Sequence, residues 1–263
     1  MKTPSDALFD LSGTVAMVTG AVGLLGTEHC HALAAHGAAV VAADIDEASA
    51  VRLAGEIAAT YENRTLGIGF DVTREESVKN AKIRIEEELG SVDVLINNAA
   101  INDKFENPEA AAEQSKFENY PLELWQTSLN VNVTGLFLCC QVFGTEMAKR
   151  GKGSIINIAS TYGMVGPDQS LYRTPDGEQI FYKTPSYPTT KGAVINFTRF
   201  LAAYWGQKGV RVNTLSPGGV EAGQDAYFIE NYSRRTPLGR MADKQDYRGA
   251  VVFLASDASR YMT

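Results

Sequence analysis

The chain alternates short β-branched or apolar runs with longer amphipathic stretches, and this rhythm limits the available folds. The runs at 14–18, 39–43, 66–70, 92–96, 154–158 and 210–215 predict six strands. Helical patterns fall between or after them: from the first glycine loop to His36 and at 47–59, 75–89, 122–149, 187–208 and 243–256. Strand and helix in regular alternation imply right-handed crossovers and a parallel sheet covered on both faces. The expected fold class is therefore α/β, a Rossmann-like doubly wound sheet, with residues 1–263 as one domain. Two segments break the rhythm, 101–121 and 164–186; both are long, polar and placed just after a strand. Loops of that length in a compact domain usually carry function. In a doubly wound sheet the ligand crevice lies at the carboxyl ends of the strands, where both segments would open.

Composition removes several function classes. A formal net charge of −7 with no basic cluster argues against nucleic acid as a partner. With no run of about 18 apolar residues, no membrane span is expected. The first eleven residues lack the layout of a signal peptide. Cys30, Cys139 and Cys140 have neither metal nor redox spacing, which suggests buried thiols in a reduced, cytoplasmic protein. His29, His31 and His36 do not fall together on one helix face, so no metal site is expected.

The loop from Thr19 to Gly26, Thr-Gly-Ala-Val-Gly-Leu-Leu-Gly, joins the first strand to the first helix. Glycines there allow backbone N–H groups to approach phosphate oxygens, and a helix N-terminus adds partial positive charge. Asp44 ends the second strand, 18 residues past Gly26, where it can accept hydrogen bonds from an adenosine ribose. A carboxylate there repels the 2′-phosphate of NADP by up to about 4 kcal/mol at 4 Å, which favours NAD. Alternatively Asp44 caps the following helix, a task Asp46 can equally perform. Tyr187 and Lys191 stand four apart at the start of a long helical pattern, on one face. A cation held against a phenol lowers its pKa and equips it for general acid–base work.

Taken in order, these residues resemble the short-chain dehydrogenase/reductase family over nearly the whole chain. The resemblance rests on the Gly20/Gly26 loop, Asp71-Val72, Asn97-Asn98-Ala99-Ala100, Ser160, Tyr187/Lys191 and Pro217-Gly218. It implies a catalytic tetrad of Asn132, Ser160, Tyr187 and Lys191. It implies cofactor contacts from Gly20, Val22, Gly23, Leu24, Leu25, Gly26, Asp44, Ile45, Asp71, Val72, Asn98, Ala99, Ala100, Pro217, Gly218 and Val220, with Tyr187 and Lys191. Asn97 would border the ribose and stabilise the central strands, Asn132 would organise a water leading to Lys191, and Ser160 would orient the substrate oxygen. Asn130 competes with Asn132, but only Asn132 stands three before Gly135, as in the family.

The sequence departs from the family pattern in three ways. Leu24 stands where classical members usually have Gly. Ser160 and Tyr187 are 27 residues apart, about twice the family norm. The chain stops at Thr263, where members usually continue into a seventh edge strand, so that strand is expected to be missing. The expected activity is NAD-dependent interconversion of a carbonyl and a secondary alcohol on a small polar molecule. The polar inserts favour a sugar, sugar acid or activated sugar, with Thr161, Tyr162, Arg173 and Tyr182 as substrate contacts; Arg173 or Lys183 either binds a substrate phosphate or carboxylate or serves equally well as a surface salt-bridge partner. The wording around the second insert is similar to reductases of nonulosonic-acid and flagellin-glycan pathways. Competing readings are a 3-oxoacyl-thioester reductase and a non-catalytic NAD-binding regulator. The family also implies a homo-oligomer, dimer or tetramer.

Overall fold

The computed structural model describes residues 7–103 and 108–263. Six strands form one sheet: β1 (Val15–Thr19), β2 (Ala39–Asp44), β3 (Thr65–Gly69), β4 (Val94–Asn97), β5 (Gly153–Ile158) and β6 (Val210–Leu215). Their order is β3-β2-β1-β4-β5-β6, and every pairing is parallel. The connection reverses direction between β1 and β4, the position at which such sheets open a crevice.

Register explains the continuous apolar runs. Met17 pairs with Val41 and Leu95, Leu95 with Ile155, and Ile155 with Val212. These buried side chains share one face of the sheet and one core. Their neighbours Ala16, Val18, Val40, Ala42, Val94, Ile96 and Ile156 build a second core on the opposite face. With both faces dry, alternation between apolar and polar residues is lost. Truncating a fully buried Met17 or Leu95 to Ala should cost about 2–5 kcal/mol.

Helices α1 (Leu24–Ala35), α2 (Glu47–Tyr61) and α3 (Glu75–Glu88) follow the first three strands. After β4 come α4 (Pro108–Gln114) and the long α5 (Leu122–Arg150); α6 (Ser186–Trp205), α7 (Ala226–Arg234) and α8 (Arg248–Ala255) complete the chain. Helices α3, α5 and α6 supply Ile85, Phe143 and Trp205 to the first core; α1, α2 and α8 supply Leu33, Ile57 and Val251 to the second. By length and composition α5 is apolar enough to cross a membrane, a test that the core helix of a globular fold also meets. Half of its most apolar window is buried in the fold, where Leu136, Cys140 and Met147 join the first core. All three cysteines are buried and unpaired, and burial pushes their thiols up.

The strands lie within two residues of the expected positions, but the inserts differ. The first contains α4 and a 3-10 turn at Phe117–Asn119; the second contains a 3-10 turn at Gln169–Tyr172 and an antiparallel bridge between Arg173 and Gln179. Two charged residues of the first insert, Lys104 and Glu106, lie outside the described residues. Helix α7 was not anticipated, and the last expected helix divides into a 3-10 turn at Lys244–Tyr247 and α8. At the β6 edge, Val212 N donates to Thr263 Oγ1 at 2.8 Å and Asn213 Nδ2 to Met262 O at 2.9 Å.

Candidate active site

Two glycines of the loop are packed too tightly to admit a Cβ. A Cβ on Gly20, whose φ is +62°, would lie 2.8 Å from Ala99 Cα; one on Gly26 would lie 2.1 Å from Gly20 O. Gly23 caps α1 with backbone alone, so the helix N-terminus is left to backbone N–H groups. Thr19, not singled out from sequence, locks this turn to β4. Its hydroxyl accepts from Asn98 N (3.1 Å) and Ala99 N (3.0 Å), while Asn98 Nδ2 donates to Thr19 O and Gly20 O. Asn97 instead faces the core, donating to Asn157 Oδ1 at 2.8 Å, and ties β4 to β5.

Asp44 is nearly buried, and its two oxygens accept from Val22 N at 3.1 Å and Asp46 N at 3.2 Å. Asp46, rather than Asp44, caps α2 by accepting from Ser49 N at 3.0 Å. Beside Asp44, Ile45 is 78% exposed. Asp71 caps its own turn by accepting from Thr73, and Val72 packs under α5 against Gly135. At the far side of the crevice Pro217 O accepts from Thr161 N at 3.0 Å. Gly218 N and Gly219 N donate to the hydroxyls of Tyr247 and Tyr232, two residues without a sequence signal. Val220 pairs with Ala242. This crevice suits a dinucleotide: a side-chain-free cradle at a helix N-terminus, a held carboxylate at the end of β2, and a strap opposite.

Ser160, Tyr187 and Lys191 come together at the end of β5. The Ser160 hydroxyl accepts from Tyr162 N at 3.2 Å and stands close enough to the Tyr187 phenol to lower its pKa. Lys191 is 4% exposed; its Nζ donates to Ile158 O at 2.8 Å and lies 5.6 Å from the Tyr187 ring centre. Asn132 is buried whereas Asn130 is exposed. Asn132 sits in a π-helical turn of α5, Asn130–Gly135, a distortion common at functional sites. Its amide accepts from Ile101 N (2.8 Å) and donates to Ile101 O (2.9 Å) and Thr190 Oγ1 (3.1 Å). Asn132 thus ties α5 to the β4 loop and to the residue before Lys191.

One expectation needs correction. Burial pushes the Tyr187 phenol above its ordinary value of 10, and the neighbouring Ser160 hydroxyl offsets this only in part. Lys191 Nζ gives one proton to Ile158 O, burial brings the ammonium itself down to about 8, and its charge beside the ring does not outweigh the burial of the phenol. The site as folded holds a protonated phenol.

The two inserts meet over this site at Asp103. Its carboxylate accepts hydroxyls from Thr184 (2.5 Å), Tyr120 (2.7 Å), Ser186 (2.8 Å) and Ser128 (3.1 Å). Burial raises the Asp103 carboxyl, yet the four donors hold it below its ordinary value. Between the inserts lies a cavity of about 760 Å³, lined among others by Phe117, Tyr182, Lys183 and Pro188. Of the expected substrate contacts, Thr161 and Tyr162 follow Ser160, with Tyr162 Oη 3.4 Å from Tyr172 Oη, and Tyr182 lines the cavity. Arg173 is exposed, and its Nε donates to Gln179 at 2.9 Å.

Comparison with known proteins decides the family. A family model described as enoyl-(acyl carrier protein) reductase matches residues 20–263. A D-threitol dehydrogenase of Mycolicibacterium smegmatis is 33% identical over 95% of this chain and 89% of its own. The chain is a short-chain dehydrogenase/reductase. Among solved structures of this family, a gluconate 5-dehydrogenase of Burkholderia cenocepacia, in complex with NADP and tartrate, is 30% identical with a TM-score of 0.84, covering 98% and 93% of the two chains. An NAD+-bound xylitol dehydrogenase is 26% identical with a TM-score of 0.82, covering 96% of each. As a short-chain dehydrogenase/reductase the protein is a nicotinamide-dependent oxidoreductase acting on CH–OH groups, and its glycine cradle fits such a cofactor.

Proposed function

We propose that the protein is an NAD-dependent dehydrogenase or reductase of a small polyhydroxylated substrate, a sugar, polyol or sugar acid. The observation that carries this reading is Tyr187, with Ser160 beside its phenol and Lys191 Nζ 5.6 Å from its ring, next to the glycine cradle. Gly20, Gly23 and Gly26 with the start of α1 would hold the pyrophosphate, and Asp44 the adenosine ribose. Exposed Ile45 offers an apolar face to adenine, and the Pro217–Val220 strap would border the nicotinamide. When bound, the nicotinamide supplies the hydride acceptor or donor. Tyr187 Oη passes a proton to or from the substrate oxygen, and Ser160 Oγ holds that oxygen in line. Lys191 stabilises the phenolate that forms after proton donation, while Asn132 keeps the π turn and the α6 start in register. A phenol held protonated is ready to donate, which suits carbonyl reduction; alcohol oxidation then improves with rising pH as the phenol ionises. Asp44 favours NAD because it repels an added 2′-phosphate in a nearly dry position.

The related threitol, gluconate and xylitol dehydrogenases support a polyhydroxylated substrate. A second copy of the chain fits the apolar groove between α5 and α6, where Phe137 and Phe200 are 43% and 58% exposed. Such an assembly, in the cytoplasm where NAD is abundant, completes the reading; a monomeric mass by light scattering would exclude it. The test of function is a turnover panel of polyols, sugars, sugar acids and acyl thioesters with NAD(H) and NADP(H). Activity on polyhydroxylated substrates, stronger with NAD(H), is expected; activity confined to acyl thioesters contradicts the reading.

A further inference from the structure

Most polar side chains of the two inserts are engaged in holding the inserts together. Asp168 pairs with Arg235 at 2.8 Å, and Arg173 with Gln179. Gln169 bonds the backbone of Lys183 through both amide atoms, and Lys116 pairs with Glu113 at 2.5 Å. Asp103 is occupied by its four hydroxyl donors. Lys183 differs from all of these. Its Nζ donates to the neutral Asn102 Oδ1 at 2.6 Å, and among the described residues it makes no ion pair. Asp103 acts on it through space alone, and burial brings the ammonium down to about 8. An ammonium has three donors, and Asn102 Oδ1 takes one of them, so the half-buried Lys183 Nζ has donors left for a ligand.

The position of this cation is as informative as its isolation. Lys183 Nζ lies 4.6 Å from the Tyr187 ring centre, and the residue also lines the cavity between the inserts. Glu113 and Glu118 also line that cavity, with Glu113 paired to Lys116, so Lys183 Nζ, 4.6 Å from the Tyr187 ring, is the lysine of its lining placed for an anion on a molecule whose oxygen meets Tyr187. Lys191, the other cation beside the ring, is directed to Ile158 O beneath the site. Related enzymes divide between neutral substrates, such as threitol and xylitol, and an acid, gluconate. We propose that Lys183 binds a carboxylate of the substrate, so that the enzyme prefers a sugar acid to the matching neutral polyol. This rests on the polyhydroxylated-substrate reading above and narrows it. Lys183 is thereby a specificity residue supplied by the extra length of chain between Ser160 and Tyr187.

The experiment compares steady-state kinetics on aldonates and alditols of equal carbon number, with NAD, for wild type, Lys183→Met and Lys183→Arg. Wild type should favour the aldonate in kcat/KM by tenfold or more. Lys183→Met should lower kcat/KM for the aldonate at least tenfold more than for the alditol, chiefly through KM, and Lys183→Arg should restore most of the preference. A wild type that favours the alditol overturns the proposal. So does a Lys183→Met variant that loses kcat equally on both substrates, which places the lysine's effect on Tyr187. If Lys183→Met fails to bind NADH, inhibition of the wild type decides. A carboxylate without hydroxyls should compete with substrate and its primary amide should not, and equal inhibition contradicts the proposal. Turnover of alditols alone removes only this proposal. Failure to turn over acids and alditols alike removes the underlying reading and this proposal with it.

Discussion

The dinucleotide side and the substrate side of the crevice share one sheet edge but are built from different materials. On the dinucleotide side the contacts are between backbones: Gly20 against Ala99, Gly26 against Gly20 O, and Val22 N onto Asp44. On the substrate side the contacts are between side chains far apart in sequence, such as Thr184 and Ser186 donating to Asp103 across more than 80 residues. Backbone cradles need glycines and a strand end at fixed spacing, so they leave a pattern in the chain. A network of hydroxyls around one carboxylate needs only residues of common type, and no local spacing announces it. The first kind of site fixes a cofactor shared by many reactions, while the second can be rebuilt for each substrate.

If the two sides are separable, a change on one should spare the other. The larger effect is expected from Gly26→Ala, whose Cβ would lie 2.1 Å from Gly20 O. Overpacking of this kind costs about 1–3 kcal/mol. Because the displaced atoms are the cradle itself, NADH affinity should fall about tenfold or more. Isothermal titration with NADH measures this, and unchanged affinity would deny that the loop is the cradle.

A smaller effect is expected from Asp103→Asn. The hydroxyl donors lose a charged acceptor, which should cost about 1–2 kcal/mol of stability. Substrate KM should rise while NADH affinity stays near the wild-type value. Thermal unfolding adds a pH signature. The Asp103 carboxyl is lowered in the folded protein, so the unfolded chain binds more protons as acid is added. Its contribution is therefore complete above the ordinary carboxyl value of 3.8 and is lost as pH falls through the lower folded value. The stability gap between wild type and Asp103→Asn should close in that acid range. A gap that persists at low pH, or a loss of NADH binding, would show that the two sides are one unit.

The same division explains what the sequence made legible. The six strands, the glycine loop, Asp44 and the cluster of Ser160, Tyr187 and Lys191 all follow from local pattern and order. Thr19, Tyr232 and Tyr247 were not visible because each acts by one hydroxyl on a distant backbone. Helix α7, Ala226–Arg234, is short and buries none of its residues fully, although Asp225 caps it by accepting from Phe228 N. The insert charges suggested a polar ligand, yet Asp103 is taken up by four hydroxyls and Asp168 by a surface pair with Arg235. The effect of Lys191 on Tyr187 could not be read from a spacing of four, because desolvation depends on what covers the ring.

The most direct test of the central claim, that Tyr187 moves the proton, is Tyr187→Phe. Turnover should fall by about 10²- to 10⁴-fold, the usual contribution of a positioned acid–base group. NADH binding should stay within about twofold of wild type, since an affinity change of that size is well under one power of ten. Turnover of Tyr187→Phe within about threefold of wild type, below any usual acid–base contribution, would contradict the account.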